Sequence, residues 1–268
     1  VADSKKRKLG GPIKMETCGV IPLERDGPDG IGLSKLDLSS DDFQSSLPEQ
    51  YWHVYQENMS ANLIVGVWTT TSMQEKFGPY PGDEFMCILQ GQVEMIDREG
   101  EKTLIKEGQT FCVRNGTPIS WKQNGFLRKF FITYSPKEEV GAGKSSDEQG
   151  LFILNKDELG AKLQKLETQF PFEIDGASPR QKNTTLFVND TGNMQVGMWQ
   201  STAFNSKMKA FPYNEFVQVL EGSVFVTEQA GTRHKFSTGD VFFVPKGTVC
   251  SWHFVGNVSK FYCRVDGD

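Results

Sequence analysis

Asn62-Leu-Ile-Val-Gly-Val-Trp68 followed by Glu84-Phe-Met-Cys-Ile-Leu-Gln-Gly91 is one copy of a pattern that the chain writes twice. The second copy is Asn193-Met-Gln-Val-Gly-Met-Trp199 followed by Glu215-Phe-Val-Gln-Val-Leu-Glu-Gly222, and every equivalent pair lies 131 positions apart. Working outward, the same spacing links Pro48-Glu-Gln50 to Pro179-Arg-Gln181, Gly108 to Gly239, Ser120-Trp121 to Ser251-Trp252, and Lys129-Phe130 to Lys260-Phe261. A gap-free repeat this long is a duplicated domain, because solenoid modules run to only about 20–50 residues.

Each unit reads as short apolar runs punctuated by Gly, Pro and Asn, the signature of strands and tight turns. Leu63–Trp68, Glu84–Leu89, Thr110–Val113, Ile119–Lys122 and Phe126–Tyr134 are such runs in the first unit, and Leu33–Leu38 reads as an edge strand ahead of it. Strands without interleaved helices favour an all-β barrel or sandwich. The sequence divides into a polar lead (1–46), a first barrel (47–135), a linker (136–178) and a second barrel (179–268). Within the linker, Leu159, Leu163 and Leu166 fall at helical spacing after Asn155, a residue suited to an N-cap, and predict a helix over 155–168.

Composition narrows the function classes. With 268 residues the chain can build two cores. Its net charge of −5 argues against nucleic acid as a partner, since phosphate binding calls for a basic face. No apolar run reaches the length of a membrane span, so none is expected. Five cysteines without a C-x-x-C pair read as reduced thiols in a cytoplasmic protein, and Lys5-Lys6-Arg7-Lys8 is a mobile basic terminus or, alternatively, a nuclear address.

The motifs then resemble a known family. Glu215-x6-Gly222 and Gly239-Asp-Val-Phe-Phe-Val-Pro245-Lys-Gly247 resemble the two motifs of the cupin superfamily, and the first unit matches them with Arg114 in the proline's place. The Gly-Val/Met-Trp, Pro-x-x-Glu-Phe (Pro81–Phe85, Pro212–Phe216) and Ser-Trp runs are similar to those of ethanolamine-utilisation-type cupins and cupins related to (S)-ureidoglycine aminohydrolase. The resemblance covers 48–134 and 179–266 and implies two tandem jelly-roll β-barrels, a bicupin.

The resemblance also implies a metal site that these residues do not supply. Metal-dependent cupins use His-x-His and Glu from one motif and His from the other. Here the histidine positions fall among Phe77–Tyr80 and Met208–Phe211, and the last falls on Ile119 and Cys250. One glutamate per half cannot hold a divalent ion alone, so no metal or other cofactor is expected.

What remains in duplicate is Glu84 and Glu215, either anchors or bases for a ligand or structural carboxylates. A buried carboxylate needs a partner, for which Lys129 and Lys260, or Lys76 and Lys207, are available. Trp121 and Trp252 share the cavity-facing phase of Ile119 and Cys250 and either line a pocket or fill the barrel. Cys250 would be a nucleophile only beside a base, and the sequence shows none. The expectation is a metal-independent bicupin holding a small polar metabolite in a Trp-lined pocket with a glutamate at its mouth. The alternative is a cupin enzyme acting on a small amino or carboxylate compound. Barrel edges would offer a route to a homodimer.

Overall fold

The computed structural model describes residues 19–136, 150–168 and 171–266. The basic run, Cys18 and most of the segment after Pro136 lie outside these residues. The chain is nearly all β, as the short punctuated runs imply. No helix among the described residues is long and apolar enough to cross a membrane.

In the first barrel, one sheet runs in the order Leu151–Leu154, Thr110–Val113, Asp83–Gln90, Leu127–Tyr134, Leu63–Thr70, Gln50–Asn58, Ser34–Lys35. The facing sheet sets Pro118–Gln123 between Met73–Gln74 and Gln92–Ile96, with Lys102–Lys106 beyond. The second barrel repeats this with unbroken strands Asn214–Glu228 and Val249–Val265 passing between the two faces. Both halves make the corner at a glycine. Gly91 and Gly222 have φ of 84°, and a Cβ there would meet the Phe126 or Asn257 carbonyl oxygen at 2.3 or 2.4 Å.

The central strands lack a polar face because both of their faces are covered. Phe85 and Cys87 point into a core shared by the two barrels, while Met86 and Ile88 point into the first barrel. Phe216 and Val217 divide in the same way in the second half, as do Phe261 with Cys263 against Tyr262. The period of two thus sorts residues between two apolar cores rather than between core and water.

The glycine of the Gly-Val/Met-Trp run is fixed by close approach. A Cβ on Gly66 would lie 2.6 Å from the His53 carbonyl oxygen, and one on Gly197 would lie 2.2 Å from that of Thr184.

The shared core has pseudo-twofold symmetry. Phe85 and Phe216, equivalent residues, meet edge to face at 5.4 Å between ring centroids. Thr110 donates to the Gln218 side-chain oxygen at 2.6 Å, and Cys87, the equivalent of Gln218, lies 3.5 Å from the same oxygen. At the rim, Asn189 donates to buried Asp83 at 2.9 Å. Burial pushes the Asp83 carboxyl up, and the hydrogen bonds from Asn115 and Asn189 pull it back. Arg114, the residue that breaks the proline motif, donates its backbone N–H to Gly150 and pairs with Asp190 at 2.6 Å. Its guanidinium also lies 5.2 Å from the Phe187 ring centroid. A proline could make none of these contacts.

The stretches read as lead and linker are two copies of one element, and they exchange. Ile21–Pro22 pairs with Val241–Val244 of the second barrel, whereas Leu151–Leu154 pairs with Thr110–Val113 of the first. Each segment then returns to its own half, through Ser34–Lys35 on Gln50–Asn58 and through Gln164–Lys165 on Gln181–Val188. Ser34–Lys35 is the edge strand expected over 33–38.

The helix is shorter than the leucine spacing predicts, running Lys156–Ala161 rather than 155–168. Asn155 caps it as expected, accepting from the Asp157 and Glu158 backbone N–H groups. Gly160 weakens its last turn, and pairing of Gln164–Lys165 competes with continuation. Leu159 still reaches the shared core, while Leu163 and Leu166 pack from beyond the helix.

Two outcomes follow from this packing. Gly197→Ala should cost about 1–3 kcal/mol in urea unfolding, and a change under ~0.5 kcal/mol would mean that the strands part without strain. Burial pushes the Cys87 thiol up to about 12, that of Cys250 up to about 11, and those of Cys112 and Cys263 upward as well. With Cys18→Ser, the folded chain should therefore resist a disulfide reagent near about pH 8 and expose its thiols only on denaturation. Reaction of the native chain within minutes would show that the shared core or the second barrel opens.

Candidate functional site

Glu84 and Lys129 enter the first barrel from neighbouring strands, Asp83–Gln90 and Leu127–Tyr134. The ammonium donates to one carboxylate oxygen at 2.8 Å, and the Tyr80 hydroxyl donates to the other. Around the ammonium stand the rings of Trp121 at 4.8 Å, Trp68 at 5.0 Å and Phe131 at 5.7 Å, with the Met86 sulfur at 3.0 Å. Ring faces stabilise a cation that has lost its water. Both indole N–H groups are used. Trp68 donates to Gln50 at 3.2 Å, and Trp121 donates to Gln123 at 2.6 Å.

The second barrel builds the same box from equivalent residues. Lys260 donates to Glu215 at 2.8 Å, and the Trp199 and Trp252 rings lie 5.2 and 5.4 Å from the ammonium. Trp199 donates to Gln181 at 3.0 Å, as Trp68 does to Gln50. The side chains of Lys260 and Glu215 are 5% and 4% exposed. The glutamates are therefore buried with their lysines, and the indole faces cover each ammonium.

The two boxes differ at two hydrogen-bonding positions. Phe211 stands where the first barrel has Tyr80, so the hydroxyl that Glu84 receives has no counterpart at Glu215. Phe254 stands where the first has Gln123, and the buried Trp252 indole N–H has no hydrogen-bond partner among the described residues. The Cys250 thiol lies beside it, a weak acceptor whose geometry falls short of a full hydrogen bond. Phe211, Phe172 and Phe254 pack on Trp252 with ring centroids 5.4, 5.6 and 5.7 Å away.

The structure thus brings together Glu84, Lys129 and Trp121 in one barrel, and Glu215, Lys260, Trp252 and Cys250 in the other. Of the possible lysine partners, Lys207 is elsewhere, paired with Glu173 at the surface. The raised Cys250 thiol is the reverse of an activated nucleophile. His253 is exposed between buried Trp252 and Phe254, and His234 pairs with Glu228 at 2.8 Å. Among the described residues no three His, Cys, Asp or Glu side chains converge as metal ligands do. The donors around each glutamate carry a positive charge or a hydroxyl proton, so the residues present do not fit the divalent ion that the family resemblance implies.

Sequence reading passed over Tyr80, Gln50 and Gln181 as members of the boxes. Their signals were available. Tyr80 occupies one of the vacated histidine positions, and Gln50 and Gln181 recur where the repeat begins.

Comparison with known proteins agrees with this architecture. The chain superposes on a protein of unknown function of the DUF861 family from Pseudomonas syringae pv. tomato with a TM-score of 0.73 at 20% identity, covering 92% of this chain and 99% of that one. Protein YlbA from E. coli, also of the DUF861 family, gives 0.53 at 13% identity over 96% and 95%. Streptomyces albus HEPD, solved with 2-hydroxyethylphosphonate and Fe(II) bound, gives 0.53 at 10% over 96% and 78%. At these identities the likeness is one of fold. No curated protein matches the chain. The EutQ-like cupin domain matches twice, at residues 64–131 and 188–262, one match in each barrel and together more than half of the sequence. This chain belongs to the EutQ-like cupin family, with two cupin domains in tandem.

Proposed function

We propose that this chain is a metal-independent bicupin that holds a small polar metabolite rather than transforming it, with the second barrel as the binding half. The observation that carries the reading is the repeated ion pair. In each barrel the glutamate that the cupin motif offers to a metal is neutralised by the repeat's own lysine. An ammonium supplies the charge there without open coordination positions, so a Lewis-acid role has no seat at that carboxylate. The asymmetry of the boxes supports the choice of half. Tyr80 and Gln123 complete the polar contacts of the first box, whereas Phe211 and Phe254 leave the Trp252 indole N–H in the second with no better acceptor among the described residues than the Cys250 thiol. A ligand carrying a carbonyl or carboxylate oxygen would match that donor.

Elemental analysis of purified protein, with thermal shifts against divalent ions, tests the metal-independent reading. Substoichiometric metal and unchanged melting are expected, and a tightly held equivalent of metal would overturn it. A thermal-shift screen of small carboxylates, amides and ureides tests the pocket. Stabilisation by a carboxylate or amide that Trp252→Phe removes is expected, and no response to any compound would count against binding in the barrel.

The pair itself makes a stability prediction. Lys260→Met alone strands a buried carboxylate and should cost about 3–5 kcal/mol, whereas Lys260→Met combined with Glu215→Leu should be neutral or stabilising. A double variant as unstable as the single one would show that the pair contributes more than mutual neutralisation.

A further inference from the structure

The duplication allows one half to be read against the other, and the halves differ on the outer face of the barrels. In the first half, Arg128 lies almost buried, its side chain 16% exposed, and its guanidinium pairs with Asp26 at 2.7 Å. Beside it, Arg25 donates to Gln90 at 3.4 Å. Moving forward by the repeat, Arg25 becomes Lys156, Asp26 becomes Asp157, Gln90 becomes Glu221 and Arg128 becomes Ser259. The acid is kept and the guanidinium is deleted.

The deletion leaves space. A cleft of about 310 Å³ lies between the helix Lys156–Ala161 and the second barrel, lined by Asp157, Ser259, Glu221, Lys156, Gln200 and Met198 among others. Ser259 is 1% exposed, and its hydroxyl has no hydrogen-bond partner among the described residues. A buried unpaired hydroxyl is costly, so a ligand in the cleft that bonds it gains by doing so. Lys156 and Glu221 pair across the rim at 3.6 Å, as Arg25 and Gln90 do in the other half. That leaves Asp157, in the first turn of the helix, as the cleft carboxylate without an ion-pair partner among the described residues.

We propose that this cleft is a binding site for a small organic cation with a guanidinium or similar planar N–H-rich head. Its ligand takes the place that the Arg128 guanidinium fills in the first half, pairing with Asp157 and engaging the Ser259 hydroxyl. A planar cation with several N–H groups can donate to a carboxylate and a hydroxyl at once, which a spherical metal ion could do only with more oxygen ligands. The site lies outside the barrel interiors and does not depend on what they hold.

Titration calorimetry of the full chain with methylguanidine, and with methylurea as the neutral analogue of nearly the same shape, tests the proposal. Methylguanidine should bind at least tenfold more tightly than methylurea, and Asp157→Asn should weaken it at least tenfold while leaving the fold intact, since Asp157 is exposed. Ser259→Arg should supply the missing group covalently, abolish methylguanidine binding and raise the melting temperature. Equal affinity for the two compounds, or methylguanidine binding untouched by Asp157→Asn, would overturn the proposal.

Discussion

A lysine ammonium held 2.8 Å from a glutamate carboxylate, with water excluded and indole faces on either side, sets the character of both barrels. Neither charge could be buried alone, because desolvation would cost several kcal/mol per ion. Once paired, they dictate their surroundings. The carboxylate must come from one strand and the ammonium from its neighbour, and the rings that shield the cation need their own N–H groups satisfied. Gln50 and Gln181 serve that need for Trp68 and Trp199, so the beginning of each repeat is tied to its centre. The same pair occupies the carboxylate that the family resemblance would offer to a metal.

Around these centres, the second constraint is that the long strands are buried on both sides. Phe85 and Phe216 touch across the pseudo-twofold axis while Met86 and Val217 face opposite barrel interiors. The two barrels are therefore joined by a core of the same kind as their own. Where the duplication has drifted, the changes read as local exchanges. Arg114 gives up a proline turn and gains a bond across the joint. Phe211 and Phe254 give up hydrogen bonds and gain aromatic packing.

Much of this was legible in the sequence because the duplication measures itself. Any residue type that survives twice at the same spacing is under a constraint common to both halves, which is how the barrels and the glutamates could be found. Lys129 and Lys260 could not be separated from Lys76 and Lys207, since a side chain's partner across a sheet depends on register. Glu84 and Glu215 could be identified but their burial could not, because what covers a side chain inside a barrel comes from both sheets. The exchanged strand at Ile21–Pro22 left almost no trace, as two residues carry no periodicity. The helix was overestimated because Leu163 and Leu166 are partly buried for reasons other than helical phase.

The crossing of Ile21–Pro22 and Leu151–Leu154 has a consequence for synthesis. The second segment finds its partner, Thr110–Val113, among residues already made, so the first barrel can close soon after it leaves the ribosome. The first segment must wait for Val241–Val244, and Val20, at its border, bonds Glu228 across 208 positions. Ile21–Pro22 is therefore among the last parts to settle, since contacts between distant residues form late and slowly. Until then the Val241–Val244 edge is unfilled by its own chain, the kind of open edge that makes folding intermediates prone to associate. The outer edge of the second barrel is thus the last to be covered, by a segment made before any of the strands it joins.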